Sequence, residues 1–286
     1  MLTEAYVYTK AIMKKFFSHS VVVVTGGASG IGKEIVKQIV PSGAQIIIVG
    51  RTKKTGHAFV KELKKDGYDI DFERVDMTDK KKVESMFKKI IATYGRIDYM
   101  FNNAGIFMGG EIRDTKLKNW SEVINNNVFA TVNGTHFAYQ YMIKQGYGHI
   151  VNVASAAGLF PVPAMGIYGA TKYAIVGLTH ELRNEAKALG VKVSAVCPSI
   201  INTPLYDTAI YNKLDKTKAL KKRRSQQTPE KAAKNIIRGV VKNQATIHTS
   251  LSTHLIWIIY RTMPWIYNIG ARRVIKLYRA KLRMDS

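Results

Sequence analysis

Tyr168 and Lys172 stand four residues apart in Tyr168-Gly169-Ala170-Thr171-Lys172, a spacing that puts both side chains on one face of a helix. A phenol has a pKa of about 10 and is a poor acid or base near neutrality. An ammonium one turn away favours the phenolate and brings the group into range. Upstream, in Asn152-Val153-Ala154-Ser155, the Ser155 hydroxyl is available to donate a hydrogen bond to a substrate oxygen. Together these groups support proton exchange with an alcohol or carbonyl oxygen. A Tyr–Lys pair at helical spacing also occurs on ordinary protein surfaces, so its weight depends on its company.

That company begins with Thr25-Gly26-Gly27-Ala28-Ser29-Gly30-Ile31-Gly32. Small residues between a strand and a helix let backbone approach a pyrophosphate, and the helix N-terminus offers free N–H groups and a positive dipole. A glycine-rich stretch alone is weak evidence; its position between a buried apolar run and an amphipathic segment is what a dinucleotide site requires. Further on, a fold preferring NAD carries an acid for the ribose hydroxyls. Here no acid occurs between Glu34 and Glu62, and the second strand ends in Gly50-Arg51-Thr52-Lys53. Arg51 can pair a 2′-phosphate bidentately, with Lys33 or Lys53 adding charge, so NADP is expected over NAD. The competing explanation is a solvated basic turn in a basic protein.

The elements that must position these groups alternate regularly. Strands are expected at Val21–Val24, Gln45–Val49, Ile70–Val75, Ile97–Phe101, His149–Val153 and Val191–Val196. Helices are expected at Ile31–Val40, Lys53–Lys65, Val83–Tyr94, Trp120–Gln145 (one long helix) and Ile167–Leu189. Continuous β-branched runs suit strands buried on both faces, and their alternation with helices means a parallel, doubly wound α/β sheet of Rossmann type. Beyond Asn202 a charged helical region is expected over Leu205–Ser225. A helix follows, with Thr228 as N-cap, Pro229 at the first position and Glu230 in the first turn. A short last strand is expected within Ala245–Thr249. Residues 1–19 read as an N-terminal extension, 20–250 as a single dehydrogenase-type domain, and 251–286 as an amphipathic, basic, aromatic helical extension.

With 46% hydrophobic residues the 286-residue chain can bury a substantial core. One cysteine, Cys197, excludes an intrachain disulfide. Lys and Arg number 44 against 20 Asp and Glu, a net charge of +24. From Ala209 to Ser286 there are 18 Lys/Arg and 3 Asp/Glu, so +15 of that charge sits in the last quarter. Such a field attracts anions, whether cofactor phosphates, lipid or nucleic acid. Glu4, Lys10, Lys14 and Lys15 interrupt the start of the chain, which lacks a secretory signal pattern. A cytoplasmic protein is expected.

In order and spacing, these motifs resemble the short-chain dehydrogenase/reductase family, compact branch, from about Val21 to Thr203. The resemblance implies that Gly26, Ser29, Gly30, Ile31 and Gly32 cradle the cofactor, that Asp76 contacts adenine, and that Asn103, Ala104 and Gly105 of Asn102-Asn103-Ala104-Gly105 lie along it. The loop from Ile200 to Thr203 would meet the nicotinamide. The family's helix asparagine falls on Asn127, implying a water relay from Lys172 to solvent; a helix kink in Asn125-Asn126-Asn127 is the alternative or companion reading. Tyr168 would exchange the proton, Lys172 would lower its pKa and hold the nicotinamide ribose, and Ser155 would polarise the substrate oxygen. No metal is implied. Two positions depart from the family pattern. Ser199 follows Pro198 where glycine is usual, and so must adopt a conformation easier for glycine. Ala130 stands where glycine is frequent.

Substrate choice, by the same resemblance, falls to Thr203–Arg224, which ends in Lys221-Lys222-Arg223-Arg224 and would form a lid. Phe107, Met108, Leu159, Phe160, Val162, Tyr206 and Tyr211 suggest a hydrophobic carbonyl or alcohol substrate, or ordinary core. Leu255–Tyr267 is apolar and aromatic but is interrupted by Arg261 and broken by Pro264, too short to span a bilayer. The basic helix after it has the composition of an interfacial anchor for an anionic membrane surface. Packing against the domain or a second subunit is the alternative; a homo-oligomer is expected by resemblance. The basic residues accompany aliphatic anchors without a known nucleic-acid motif, so no nucleic acid is expected. Two rival functions are a non-catalytic nucleotide-binding or membrane-docked member of the fold and a sugar-nucleotide epimerase or dehydratase. Retention of both Tyr168 and Lys172 argues against the first, and the glycine spacing and short chain against the second.

Overall fold

The computed structural model describes residues 13–221 and 227–284. Residues 1–12, most of the Lys221–Arg224 cluster, Ser225, Gln226 and the last two residues lie outside the described residues. The β-branched runs form strands β1 (Val21–Thr25), β2 (Gln45–Gly50), β3 (Ile70–Arg74), β4 (Tyr99–Asn102), β5 (Gly148–Val153), β6 (Val191–Cys197) and β7 (Thr246–His248). They make one parallel seven-stranded sheet in the order β3-β2-β1-β4-β5-β6-β7. Order reverses between β1 and β4, and a crevice opens there at the strands' carboxyl ends.

Strand periodicity divides each apolar run between two cores. Val22 and Val24 of β1, with Ile46 and Ile48 of β2, face helices α1 (Gly30–Ile39) and α2 (Lys53–Lys65). Val21, Val23, Ile47 and Val49 face the opposite layer, which includes α3 (Lys80–Tyr94). The second layer continues with α4 (Leu117–Ile124), α5 (Ala130–Gln145) and α6 (Gly166–Ala186). A short helix α7 (Lys216–Lys221) precedes α8 (Pro229–Val241), whose Ile236, Ile237 and Val240 complete the first layer. Thr228 caps α8 by accepting from Lys231 N at 3.2 Å, as its position before Pro229 predicts. Helices α9 (Leu251–Thr262) and α10 (Pro264–Lys281) follow. Met13 and Phe17 are buried with the first layer, so residues before Ser20 already belong to the packed body.

Two expected helices differ. The Trp120–Gln145 stretch begins earlier, at Leu117, and contains a π-helical turn at Asn125–Phe129, where Ala130 N–H donates to Asn125 O. Three successive asparagines are poor helix formers, and the wider turn rotates Asn127 into the interior. Leu205–Ser225 is not helical throughout. Pro204–Tyr206 forms a 3-10 turn, and Ile210–Tyr211 pairs in parallel with Met108–Gly109; among the described residues of this stretch only Lys216–Lys221 is α-helical. Backbone bonds from Ile210 N to Phe107 O (3.1 Å) and Asn212 N to Gly109 O (2.9 Å) satisfy groups that a helix would otherwise pair.

A buried polar chain ties the second layer to the sheet behind the crevice. Asn102 Nδ2 donates to Asn152 Oδ1 (2.8 Å) and Thr135 Oγ1 (3.1 Å), and Asn152 Nδ2 donates to Thr179 Oγ1 (3.1 Å). All four residues are buried.

Candidate active site

The turn between β1 and α1 is held open by its glycines. Gly26 has φ +64°, a region L side chains seldom adopt. Gly32 faces inward; a Cβ there would lie 2.6 Å from Asn103 Nδ2 and collide with the Gly26 carbonyl. Asn103 braces the turn by donating from Nδ2 to Thr25 O at 3.0 Å, and Thr25 Oγ1 accepts from the Asn103 and Ala104 amides at 2.9 Å each. Above this turn lies a cleft of about 440 Å³. Gly26, Ser29, Gly30 and Ile31 line its floor, with Asn103, Ala104 and Gly105 along one wall and Thr203 opposite. A chain of small residues beneath a helix N-terminus fits a pyrophosphate-bearing dinucleotide.

At one end of the cleft Arg51 leaves the end of β2 with its side chain 58% exposed. Its Nη1 donates to Asn126 Oδ1 at 3.1 Å and lies 3.9 Å from Asp76 Oδ2. Asp76 is fixed independently: its Oδ1 accepts from the Thr78 amide at 3.0 Å and the Thr78 hydroxyl at 2.9 Å. Lys33 is turned towards Glu62, at 3.7 Å, and over the Phe59 ring. Neither Lys33 nor Lys53 lines the cleft.

At the other end α6 delivers Tyr168 and Lys172 beside Ser155, which follows β5. All three line the cleft, and Tyr168 and Lys172 are nearly enclosed. Lys172 Nζ donates to Val153 O at 3.1 Å and stands 5.5 Å from the Tyr168 ring centre. Burial pushes the Tyr168 phenol up to about 12, against a downward pull from its hydrogen bond with Ser155. Burial also pulls the Lys172 ammonium down to about 8. The lowering of the phenol by Lys172 expected from the spacing is not among the effects on Tyr168 here, where burial dominates, and the ammonium is directed at a carbonyl. Cys197, at the end of β6, is fully buried, and its thiol is pushed up to about 12 by burial.

Asn127 is fully buried and does not line the cleft. Its Oδ1 accepts from Ile106 N (2.8 Å), and its Nδ2 donates to Ile106 O (3.0 Å) and Thr171 Oγ1 (3.1 Å). Both amide donors are spent on joining the Gly105–Ile106 wall to α6. Ser199 stays out of the left-handed region, so the strain expected from replacing glycine is absent. Its amide donates to Thr249 Oγ1 at 3.2 Å.

Around Tyr168 the surroundings are apolar. Phe107 packs edge-on against its ring at 4.9 Å, and Val162, Met165, Leu205 and Tyr206 adjoin them. The C-terminal helices brace this end. The Tyr267 hydroxyl donates to Pro161 O, and Tyr267 packs on Phe160. Arg279 Nε lies 2.7 Å from Glu111 Oε1 and Arg283 Nη1 2.6 Å from Asp114 Oδ2. Among the described residues no cluster of three His, Cys, Asp or Glu side chains is placed to hold a metal ion.

The sequence model of the family described as short chain dehydrogenase matches residues 20–213. This chain belongs to that family. Among curated relatives, an uncharacterized oxidoreductase of Staphylococcus epidermidis is 33% identical over 199 residues, 70% of this chain and 85% of the relative. The 3-oxoacyl-[acyl-carrier-protein] reductase FabG of Thermotoga maritima is 35% identical over 185 residues, 65% of this chain and 75% of the relative. Among solved structures, a short chain dehydrogenase/reductase from Burkholderia phymatum in complex with NAD superposes with TM-score 0.80 at 24% identity, covering 88% of this chain and 96% of that one. A short-chain dehydrogenase from Streptomyces avermitilis has TM-score 0.77 at 22% identity, with 90% and 98% covered. These likenesses establish the oxidoreductase family and the nucleotide-binding fold.

In this short-chain dehydrogenase the predicted residues converge on one cleft, with Gly32 and Asn127 directly behind its walls. Sequence reasoning missed Thr55, Phe72, Thr78 and Asn126, which line the end near Arg51. Asn126 had a signal, since it lies in the asparagine run beside Asn127. The others had none, because their position depends on how β3 and α2 meet.

Proposed function

We propose that this dehydrogenase interconverts an alcohol and a carbonyl on a hydrophobic substrate, using NADP(H). The observation that carries the reading is the meeting of Tyr168, Ser155 and Lys172 at the apolar end of a glycine-floored cleft. The bound nicotinamide supplies or accepts the hydride. The remaining chemistry belongs to the protein. Tyr168 gives a proton to the carbonyl oxygen during reduction and takes it back during oxidation. Ser155 orients that oxygen by hydrogen bonding. Lys172, drawn from the Val153 carbonyl, holds the ribose and favours the phenolate through its charge. Because the Asn127 amide is committed to protein partners, the water that relays a proton between Lys172 and solvent is held by a backbone carbonyl of the π-turn instead of by this side chain. Arg51 reads the 2′-phosphate, and the absence of an acid at the end of β2 supports NADP over NAD.

The apolar lining near Tyr168 supports a lipophilic substrate, and the name of the Thermotoga relative makes aliphatic 3-oxoacyl compounds one class to screen. The test is Tyr168→Phe, assayed with NADPH and hydrophobic ketones. Turnover should fall by about 10²–10⁴-fold with cofactor binding nearly intact. Residual activity above about one per cent of wild type would remove Tyr168 from the acid/base role.

A further inference from the structure

Helices α9 and α10 bury one side and leave the other bare. Trp257, Tyr260 and Tyr267 pack into the cluster formed by Leu159, Phe160 and Ile175. On α9, Leu251 (73% exposed), Leu255 and Ile258 recur at three- to four-residue spacing on the outward side. On α10, Trp265 (65% exposed), Ile266 and Ile269 lie on the side away from the buried Tyr278 and Leu277 is exposed on its flank, with Arg273 and Lys276 interleaved. So much outward apolar surface on adjoining helices marks an interaction site.

Charge decides the occupant. Between Leu251 and Met284 there are seven Lys/Arg and no Asp/Glu. Arg279 and Arg283 are engaged by Glu111 and Asp114, whereas Arg272, Arg273 and Lys276 make no ion pair among the described residues. A second copy placed symmetrically on this face would oppose basic residues with basic residues. An anionic lipid surface accepts both the aliphatic and the cationic side chains: the former enter the acyl boundary, the latter meet headgroups. No helix among the described residues is long and apolar enough to cross the bilayer.

The same helices are fastened to the cleft mouth. Tyr267 holds the Phe160–Pro161 segment, whose neighbour Val162 packs beside Tyr168. The end of α10 grips Glu111 and Asp114 and pairs with the Lys213–Asp215 segment, Asp215 N donating to Leu282 O at 2.8 Å. We infer that α9 and α10 form a platform that docks the protein flat on an anionic membrane and sets the apolar end of the cleft beside the bilayer, to receive lipid-dissolved alcohols or carbonyls. The substrate part rests on the proposed oxidoreductase reading.

The test uses the full chain with phosphatidylcholine vesicles, with and without phosphatidylglycerol. The protein should float with the anionic vesicles only, and brominated lipid should quench Trp265. Trp265→Ser/Ile269→Ser and Arg272→Glu/Arg273→Glu should each weaken retention by about tenfold or more. The same pairs should slow turnover of a vesicle-borne long-chain ketone about tenfold and leave a short water-soluble ketone unchanged. No retention, or retention indifferent to both pairs, overturns the proposal. A solution dimer that Trp265→Ser/Ile269→Ser dissociates overturns it in favour of a second copy. Equal turnover of the vesicle-borne ketone by the variants overturns the delivery step. Retention is read without turnover: a docked protein lacking all reductase activity refutes the oxidoreductase reading, while turnover without retention refutes the docking.

Discussion

Replacing Arg51 by alanine should weaken NADPH binding about 10- to 100-fold while leaving NADH binding within about twofold. The magnitude follows from the surroundings of the guanidinium. A hydrogen bond to a charged group contributes about 1.5–3 kcal/mol, and about 1.4 kcal/mol is tenfold in affinity. Arg51 is 58% exposed, which places it towards the lower part of that range. Turning to a phosphate costs it only the exposed 3.1 Å bond to Asn126, because Asp76 is held by Thr78 and does not depend on the 3.9 Å contact with Arg51. Arg74 adjoins, donating from Nε to Arg51 O at 3.4 Å, and retains part of the positive field in the variant. Fluorescence titration with both cofactors reads the effect. The preference for NADPH should shrink with added salt, and below pH about 6, where a phosphate monoester loses its second charge. Equal weakening of both cofactors, or tighter NADH binding by the wild type, would show that Arg51 does not read the 2′-phosphate.

Carbonyl reduction should lose kcat/KM as pH rises through about 8, where Lys172 gives up its proton. In Lys172→Arg this limb should move out of the accessible range, and an unchanged profile would assign it to another group. Asn152→Ala strips partners from the buried Asn102, Thr135 and Thr179, and should cost about 2–4 kcal/mol in urea unfolding. A loss below about 1 kcal/mol would mean that water or rearrangement replaces the network. His149 is buried with Nε2 2.9 Å from Ser194 Oγ, and burial lowers its pKa to about 3. The unfolded chain takes up a proton near pH 6.5 that the folded chain refuses until about pH 3. Its contribution is therefore complete above pH about 6.5 and is lost as pH falls through that window, at up to about 1.4 kcal/mol per pH unit. His149→Gln should flatten that slope, and an unaltered slope would assign it elsewhere.

The parallel sheet was readable because strands buried on both faces must be continuously apolar, as Val21–Val24 and Ile46–Val49 are. The glycine turn and the Tyr168–Lys172 pair were readable because backbone approach and helical spacing leave direct marks on residue order. The route of the chain from Leu205 to Asn212 was not, since it follows from pairing with Phe107–Gly109, just over a hundred residues away in sequence. The interior setting of Asn127 was half legible: the asparagine run signalled a distorted helix, but the width of the turn and the partners of the amide come from packing against α6 and Gly105. The same holds for Lys172, whose type and spacing announced a cation near a phenol but not the burial that dominates both pKa values. Ser199 shows the converse, where a family departure predicted strain and the local backbone accommodates serine without it.

Cys197 carries a different consequence. It is the chain's one thiol and is fully enclosed at the end of β6, close to Lys172. A thiol reagent can reach it only when the structure around Lys172 opens. The rate of modification in the native protein is thus a built-in clock for that opening, and slowing of the clock by a nicotinamide cofactor or a vesicle surface would report their grip on this region without any turnover being measured.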